Sequence, residues 1–386
     1  MERIYFDNAA TTPLDPIVLN EMKPYLTNSF GNASSLHRFG TESKVVLEKC
    51  RKQIANYLNA SDDEFVFTSS GTESNNMAIK GIAFANRGKG NHIITSAIEH
   101  DCVLNACKWL ETQGFYITYL SVDSNGVIDI EQLRKFINPK TILVSVMHGN
   151  NEIGTLQNLE QIGMICREKG VYFHSDACQS FGKVPIDVQR MNLDLLTINS
   201  HKIYGPKGVG GLFIRKGVKI TPWLHGGGQE FGIRSSTENI AGIVGFTKAV
   251  ELCMTNFSKE IEALTRQRDK LMDAILSNVE NAYLNGHPTQ RIPNNINICI
   301  RGLEGEAIRL LLTLDELGIA VSAGSACSSN DKSNNASHVL RAIGLNPFEA
   351  RGSIRISLGR FNTDEEIDYF INAFEQSILK LNPIFS

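Results

Sequence analysis

Lys202 and Asp176 are the two side chains in this sequence best placed to do chemistry together. Lys202 closes Asp194-Leu-Leu-Thr-Ile-Asn-Ser-His-Lys202, where an apolar run stops at Ser200-His201-Lys202. Asp176 closes an earlier run, Val171-Tyr-Phe-His-Ser-Asp176. An amine at the end of a buried strand is partly desolvated, which disfavours its charged form and lowers its pKa. A neutral lysine attacks aldehydes and forms a Schiff base. One strand-end lysine for an aldehyde and one strand-end acid for a pyridinium nitrogen are what a pyridoxal phosphate site requires. Taken singly, Lys202 reads equally as a surface lysine after a strand.

Other residues fit around this pair. Phe65-Val-Phe-Thr-Ser-Ser-Gly71-Thr72-Glu-Ser74 reads as strand, small-residue turn and helix start. The free amides and dipole of a helix N-terminus attract an anion such as phosphate, with a hydroxyl from Ser70 or Thr72; the same pattern is also a plain N-cap. Ser200 and His201 offer further donors. His100 closes His92-Ile-Ile-Thr-Ser-Ala-Ile-Glu-His100, where an imidazole can stack on a ring and move protons, or simply be satisfied beside Glu99. Met147-His-Gly-Asn-Asn-Glu-Ile-Gly154 contains amides and an acid that are costly to bury unless bonded; they contact a ligand or shape a turn. Gln179 is expected to begin a helix and point back at the ligand. His225-Gly-Gly-Gly-Gln-Glu230 with Arg234-Ser-Ser-Thr237 reads as a flexible, hydrogen-bonding loop. Arg355, inside an apolar strand, needs an anion, either a substrate carboxylate held bidentately or an internal acid. Cys327 stands out among eight cysteines (50, 102, 107, 166, 178, 253, 299 and 327) because residues 322–337 are polar and lack apolar periodicity. A thiol in such a segment is exposed and reactive.

These residues must be held by a scaffold. Apolar runs at 64–68, 92–96, 116–120, 141–147, 171–175, 193–199 and 210–214 alternate with amphipathic stretches at 72–86, 102–112, 129–136 and 158–168. Such alternation predicts an α/β fold with a mostly parallel sheet covered by helices, whose ligands sit beyond the strands' carboxyl ends. After residue 240 the pattern changes to a long amphipathic stretch, 243–277, interrupted near Asn256. Strands at 294–300, 319–322 and 353–358 and helices at 305–317, 337–343 and 363–381 then suggest a smaller α+β domain. We expect a large domain over 16–258 and a small one built from 1–15 and 259–386.

The composition of the 386-residue chain, 42% hydrophobic and 20% charged, is ordinary for a globular protein. A net charge of −3 gives no footprint for nucleic acid or an anionic membrane. No signal-peptide pattern or membrane-length apolar run appears, so a soluble, cytoplasmic protein with reduced thiols is expected. No C-x-x-C pair is present, which argues against a metal site.

Together the motifs resemble one family. The chain is similar to the pyridoxal-phosphate-dependent cysteine desulfurases of the class V aminotransferase group, with the long cysteine loop that serves iron–sulfur cluster assembly. The likeness runs from Tyr5-Phe-Asp-Asn-Ala-Ala-Thr-Thr-Pro13 to Ser357-Leu-Gly-Arg360, and rests on the joint occurrence of His100, Asn150-Asn-Glu-Ile-Gly154, Asp176-Ala-Cys-Gln179, Ser200-His-Lys-Ile-Tyr-Gly-Pro-Lys207 and Gly324-Ser-Ala-Cys-Ser328. It implies fold type I with a seven-stranded sheet, pyridoxal 5'-phosphate as cofactor, and conversion of L-cysteine to L-alanine with sulfur passed to Cys327 as a persulfide. It implies that Lys202 carries the cofactor, Asp176 pairs with its ring nitrogen, Gln179 with its ring oxygen, and His100 stacks on the ring. Gly71, Thr72, Ser200 and His201 would bind the phosphate, and Thr237 that of a neighbouring subunit in a homodimer. Asn151 and Arg355 would contact the substrate carboxylate. The implied partner is a sulfur-acceptor protein such as a cluster scaffold, with tRNA thiolation a further outlet.

Some positions depart from the family pattern. Asn32-Ala33 lacks the usual proline, Ser236 replaces a glycine, Gly149 replaces a bulkier residue, and the stretch from Cys327 to His338 is longer and proline-free, so a more mobile loop is expected. His37 matches a motif position at the site mouth without a defined role. Rival readings are another enzyme of the same fold, such as a selenocysteine lyase or aminotransferase, and a non-catalytic cysteine-based metal scaffold.

Overall fold

The computed structural model describes residues 3–323 and 336–381. The chain begins with β1 (Ile4–Tyr5), α1 (Pro16–Thr27) and α2 (Arg38–Tyr57). There follow β2 (Phe65–Thr68), α3 (Gly71–Ala85), β3 (His92–Ser96), α4 (Asp101–Thr112), β4 (Tyr116–Leu120), α5 (Ile130–Phe136), β5 (Thr141–Ser145), α6 (Leu159–Lys169), β6 (Tyr172–Asp176), β7 (Leu195–Asn199) and β8 (Gly210–Ile214). Next come α7 (Ile240–Thr255), α8 (Phe257–Asn278), β9 (Ala282–Leu284), β10 (Asn295–Ile300), α9 (Ala307–Glu316), β11 (Ile319–Ala320) and β12 (Ser322–Ala323). The last elements are α10 (His338–Ala342), α11 (Pro347–Arg351), β13 (Ile354–Ser357) and α12 (Asp364–Leu381).

Strands β2 to β8 form a seven-stranded sheet in the order β2-β8-β7-β6-β5-β3-β4. β8 runs antiparallel to both its neighbours, and the other pairings are parallel. Strands β3, β5, β7 and β8 are buried along their whole length, as expected for a sheet covered on both faces. One large apolar cluster joins α1, α2 and α7 to one face, through residues such as Val18, Ile54 and Phe246. A second joins α3 and α4 to the other. A third, separate cluster unites Ile4 and Phe6 with residues from Leu264 to Ile378. It surrounds a four-stranded antiparallel sheet, β12-β13-β10-β9. The N-terminal β1 pairs with β11. The break anticipated near Asn256 is where α7 ends and α8 begins, at an angle of 75°. Among the described residues no single helix is long and apolar enough to cross a membrane.

The pattern of the sequence did not announce α1 and α2. Pro24 interrupts α1, and α2 buries Arg51 among its apolar positions. The reason for burying Arg51 lies far along the chain. Its guanidinium forks onto Glu230 at 2.6 and 2.8 Å, with both side chains 2% exposed. It also donates to Phe65 O, while Glu230 accepts from Phe67 N–H. The loop after β8, expected to be flexible, is therefore pinned beneath the sheet edge by a buried ion pair. Glu230 and Phe231 adopt left-handed φ values of 48° and 58°, which non-glycine residues keep only when surroundings enforce them. Removing one partner of such a pair strands a buried charge. Arg51→Met should destabilise the protein by about 3–5 kcal/mol in chemical denaturation, and adding Glu230→Leu should recover much of the loss.

Candidate active site

The residues read as chemical converge at the carboxyl ends of β6 and β7. A cavity of about 300 Å³ is lined there by Gly71, Thr72, His100, Asn151, Asp176, Gln179, His201, Lys202 and Arg355, among others. That volume lies within the usual range for small-ligand pockets.

Lys202 sits in the turn beyond β7. Ile203 N–H and Gly205 N–H both return to Ser200 O, and Tyr204 takes a left-handed φ of 67°. Gly205 has no alternative, since a Cβ there would lie 2.0 Å from Ser200 Oγ. The turn aims the lysine at the N-terminal segment, where Nζ donates to Ala9 O and, at 2.8 Å, to Ala10 O. Neither partner carries charge. Burial, with Arg355 and Lys183 nearby, lowers the Lys202 pKa to about 8. Burial also keeps His201 neutral, its pKa lowered to about 4 with help from Lys202, Lys207 and Lys183.

Asp176, buried at the end of β6, is held through both oxygens. Asn75 Nδ2 donates to Oδ2 at 2.6 Å, and Cys178 N–H to Oδ1 at 2.9 Å. Gln179 does not begin a helix: residues 177–183 form successive turns, with Ser180 N–H and Phe181 N–H bonded to Ala177 O. Its side chain still reaches the cavity and donates to Ala9 O at 2.9 Å. The carbonyl of Ala9 thus receives both Gln179 and Lys202.

At the start of α3, Ser70 Oγ caps the helix by accepting from Glu73 N–H at 3.1 Å. Gly71 and Thr72 line the cavity, and a Cβ on Gly71 would come within 2.6 Å of Cys178 Sγ. Ser200 Oγ, buried without a hydrogen-bond partner among the described residues, packs against Gly205 and does not line the cavity. A helix N-terminus whose first residue leaves no room for a Cβ, facing a desolvated amine, suits a phosphorylated aldehyde.

His100 caps α4, its Nδ1 accepting from Cys102 N–H, and its ring is exposed to the cavity. Glu99 beside it does not satisfy it. That carboxyl turns inward to Ser96 Oγ and Met147 N–H, at 2.6 and 2.8 Å, and burial raises its pKa to about 8. In the turn after β5 the adjacent amides divide the two expected roles. Asn150 is wholly buried and shapes the turn, accepting from Glu152 N–H and Ile153 N–H. Asn151 faces the cavity. Arg355 donates from Nη1 to Asn151 O and from Nη2 to Asp7 at 2.8 Å, while its buried Nε has no partner among the described residues. His37 caps α2. Thr237 is exposed and does not line this cavity. Cys327 lies outside the described residues.

Several contributors carried no sequence signal of their own. Asp7 and the carbonyls of Ala9 and Ala10 arrive from the opposite end of the chain, and Asn75 from the second turn of α3. Cys102 and Cys178 also line the cavity, and burial raises the Cys102 thiol to about 12.

Comparison with known proteins agrees with this geometry. Residues 4–370 match the family model for Aminotransferase class-V. A protein of Dictyoglomus turgidum named Cysteine desulfurase IscS is 50% identical over 382 residues, covering 99% of this chain and 96% of that protein. A namesake from Methanosarcina thermophila is 50% identical over 378 residues, covering 98% of this chain and 92% of that protein. The solved structure of a NifS-like protein superposes with a TM-score of 0.91 at 38% identity, covering 98% of this chain and 100% of the other. That of SspA in complex with cysteine superposes with a TM-score of 0.80 at 39% identity, covering 93% of this chain and 100% of the other. With the family model matched over residues 4–370 and relatives 50% identical over nearly its whole length, the chain belongs to the class-V aminotransferase family.

Proposed function

We propose that this protein is a pyridoxal-phosphate-dependent cysteine desulfurase that converts L-cysteine to L-alanine and collects the sulfur on Cys327. One observation carries the reading: Lys202, a half-buried amine whose hydrogen-bond partners among the described residues are neutral carbonyls, shares a cavity with the doubly anchored Asp176. The relatives named cysteine desulfurase and the neighbour solved with cysteine support the substrate.

The site fits the cofactor. Lys202 would tether it, Asp176 would meet its ring nitrogen and Gln179 its ring oxygen. His100 would cover the ring, and Gly71, Thr72, Ser200 and His201 would hold the phosphate. When bound, pyridoxal phosphate supplies an aldehyde for amines and a ring that stores electrons.

The chain's own side chains do the rest. Lys202, once released, holds or returns the proton at the substrate Cα, a task suited to an amine whose pKa sits near 8. Asn75 and the Cys178 N–H fix the orientation of Asp176. Arg355 and Asn151 orient the substrate carboxylate. The Cys327 thiolate, the nucleophilic form, attacks the substrate sulfur: an S–S bond forms, the S–Cβ bond breaks, and its electron pair stays on carbon, where a proton completes alanine. Substrate, thiol, alanine and persulfide balance without an external oxidant. A thiol on a polar segment suits onward delivery to an acceptor protein, which we propose is an iron–sulfur cluster scaffold.

A homodimer is also proposed. Thr237 is exposed and does not line its own chain's cavity, and Phe30, Leu36 and Phe39, close in sequence, are 70%, 96% and 55% exposed, the two phenyl rings stacked at 5.8 Å. Apolar side chains grouped this way mark association surfaces.

Three outcomes are expected. Borohydride treatment of the cofactor-loaded protein should fix a pyridoxyl group on Lys202, identified by peptide mapping, and loading of the apoprotein should accelerate as pH rises through about 8; an unperturbed lysine would gain neutral amine only near pH ~10.4. Cys327→Ala should retain the cofactor's absorbance yet lose persulfide formation, and alanine production at the normal rate with a thiol acceptor would refute the assignment. Sedimentation should give twice the 42.7 kDa chain mass, and Leu36→Asp should shift it toward the monomer.

A further inference from the structure

A second lysine is buried behind the first. Lys183 is 6% exposed and follows the turns that carry Gln179. Its Nζ donates to Gln179 O at 3.1 Å and to Lys202 O at 3.3 Å. Both partners are neutral carbonyls of site residues. One ammonium therefore ties together the two backbone segments from which the presumed ring-oxygen ligand and the cofactor lysine project. We propose that Lys183 is a positioning residue of the active site, which clamps the backbones of Gln179 and Lys202 and sets a positive charge behind the Lys202 amine, so that this amine gives up its proton readily. The inference rests on the reading of Lys202 given above.

The surroundings act on both amines. Burial lowers the Lys183 pKa to about 8, with Cys253, Glu260 and Cys178 acting the other way. Arg355 and Lys183 oppose charge on Lys202, with Cys178 and Asp7 acting the other way. Two like charges at close range in a poorly hydrated site are not both comfortable. Both amines are lowered to about 8, so a proton held on Lys183 works against one on Lys202, whose neutral form is the nucleophile. The same charge opposes protonation of His201, so the proposed phosphate wall keeps a neutral imidazole and draws its positive potential from lysine.

The test is the pH dependence of adduct formation at position 202. Full-length apoprotein is exposed briefly to pyridoxal 5'-phosphate at graded pH, reduced with borohydride and mapped. Lys183→Arg keeps the charge and should keep the wild-type midpoint. Lys183→Met and Lys183→Gln remove it, the latter retaining a donor for the carbonyls, and both should raise the midpoint by about one pH unit, lowering adduct yield below the midpoint about tenfold. Near-ultraviolet circular dichroism verifies folding. An unmoved midpoint in a folded Met or Gln variant would overturn the proposal, because a purely structural lysine would leave the titration alone. Should neither variant fold, ¹⁵N-lysine spectra of the wild-type apoprotein decide: interacting amines titrate in two linked steps, whereas a single independent step for Lys202 overturns the proposal. Absence of any adduct at position 202 in the wild type would sink the cofactor reading itself, a result distinct from an adduct whose midpoint does not move.

Discussion

Withholding water from one amine is the constraint on which this structure turns. The sheet alone does not impose it, since β7 ends and its lysine would point into an open crevice. The cover comes from residues 7–12. Asn8 bonds to Ser357 O, Ala9 N–H to Ser357 Oγ, and Thr12 Oγ1 to His201 O. These bonds fasten the N-terminal segment across both β13 and the lysine turn. The carbonyls of Ala9 and Ala10 then meet Nζ as neutral acceptors. They satisfy the amine's donors without stabilising its charge as a carboxylate would, and that difference moves a lysine toward neutrality. The N-terminus, which belongs by packing to the cluster around β13 and α12, is thereby also a wall of the site.

Charges elsewhere in the molecule are buried under the opposite rule. Arg51 and Glu230 face each other with complementary forks and extra backbone bonds. Glu99 makes no ion pair among the described residues, and burial favours its protonated form. The ion pair fixes a loop, and the lone carboxyl braces a turn through Ser96 and Met147. The lone lysines, bonded to neutral carbonyls, are the groups to which we assign reactivity and its support.

Much of this was legible beforehand because the relevant signals are local. All seven strands of the large sheet match apolar runs, and the ends of two of those runs lead directly to Asp176 and Lys202. What escaped depended on distant partners. The helix α2 reads poorly because Arg51 occupies a core position that makes sense only with Glu230. The helix expected at Gln179 fails because Lys183 Nζ, rather than a helical amide, takes the Gln179 carbonyl, and successive turns put the side chain in the cavity by another route. Asp7, Ala9 and Ala10 are unremarkable in sequence, since a backbone carbonyl has no side-chain signature.

Arg355 shows how two readings that look exclusive in sequence coexist in space. An internal acid or a substrate carboxylate was required to neutralise it. The structure supplies the acid, Asp7, but engages only Nη1 and Nη2, one bond each. A guanidinium has five N–H donors in a fixed plane. Among the described residues the buried Nε and the remaining Nη hydrogens have no partner, on a side chain that lines the cavity. The Asp7 pair therefore does not consume the residue; it orients the plane, and the free Nη hydrogens are the donors through which the proposed carboxylate contact would run. A lysine placed there would keep the charge but lose this division, because a single ammonium cannot face Asp7 and present a planar edge to a substrate at once.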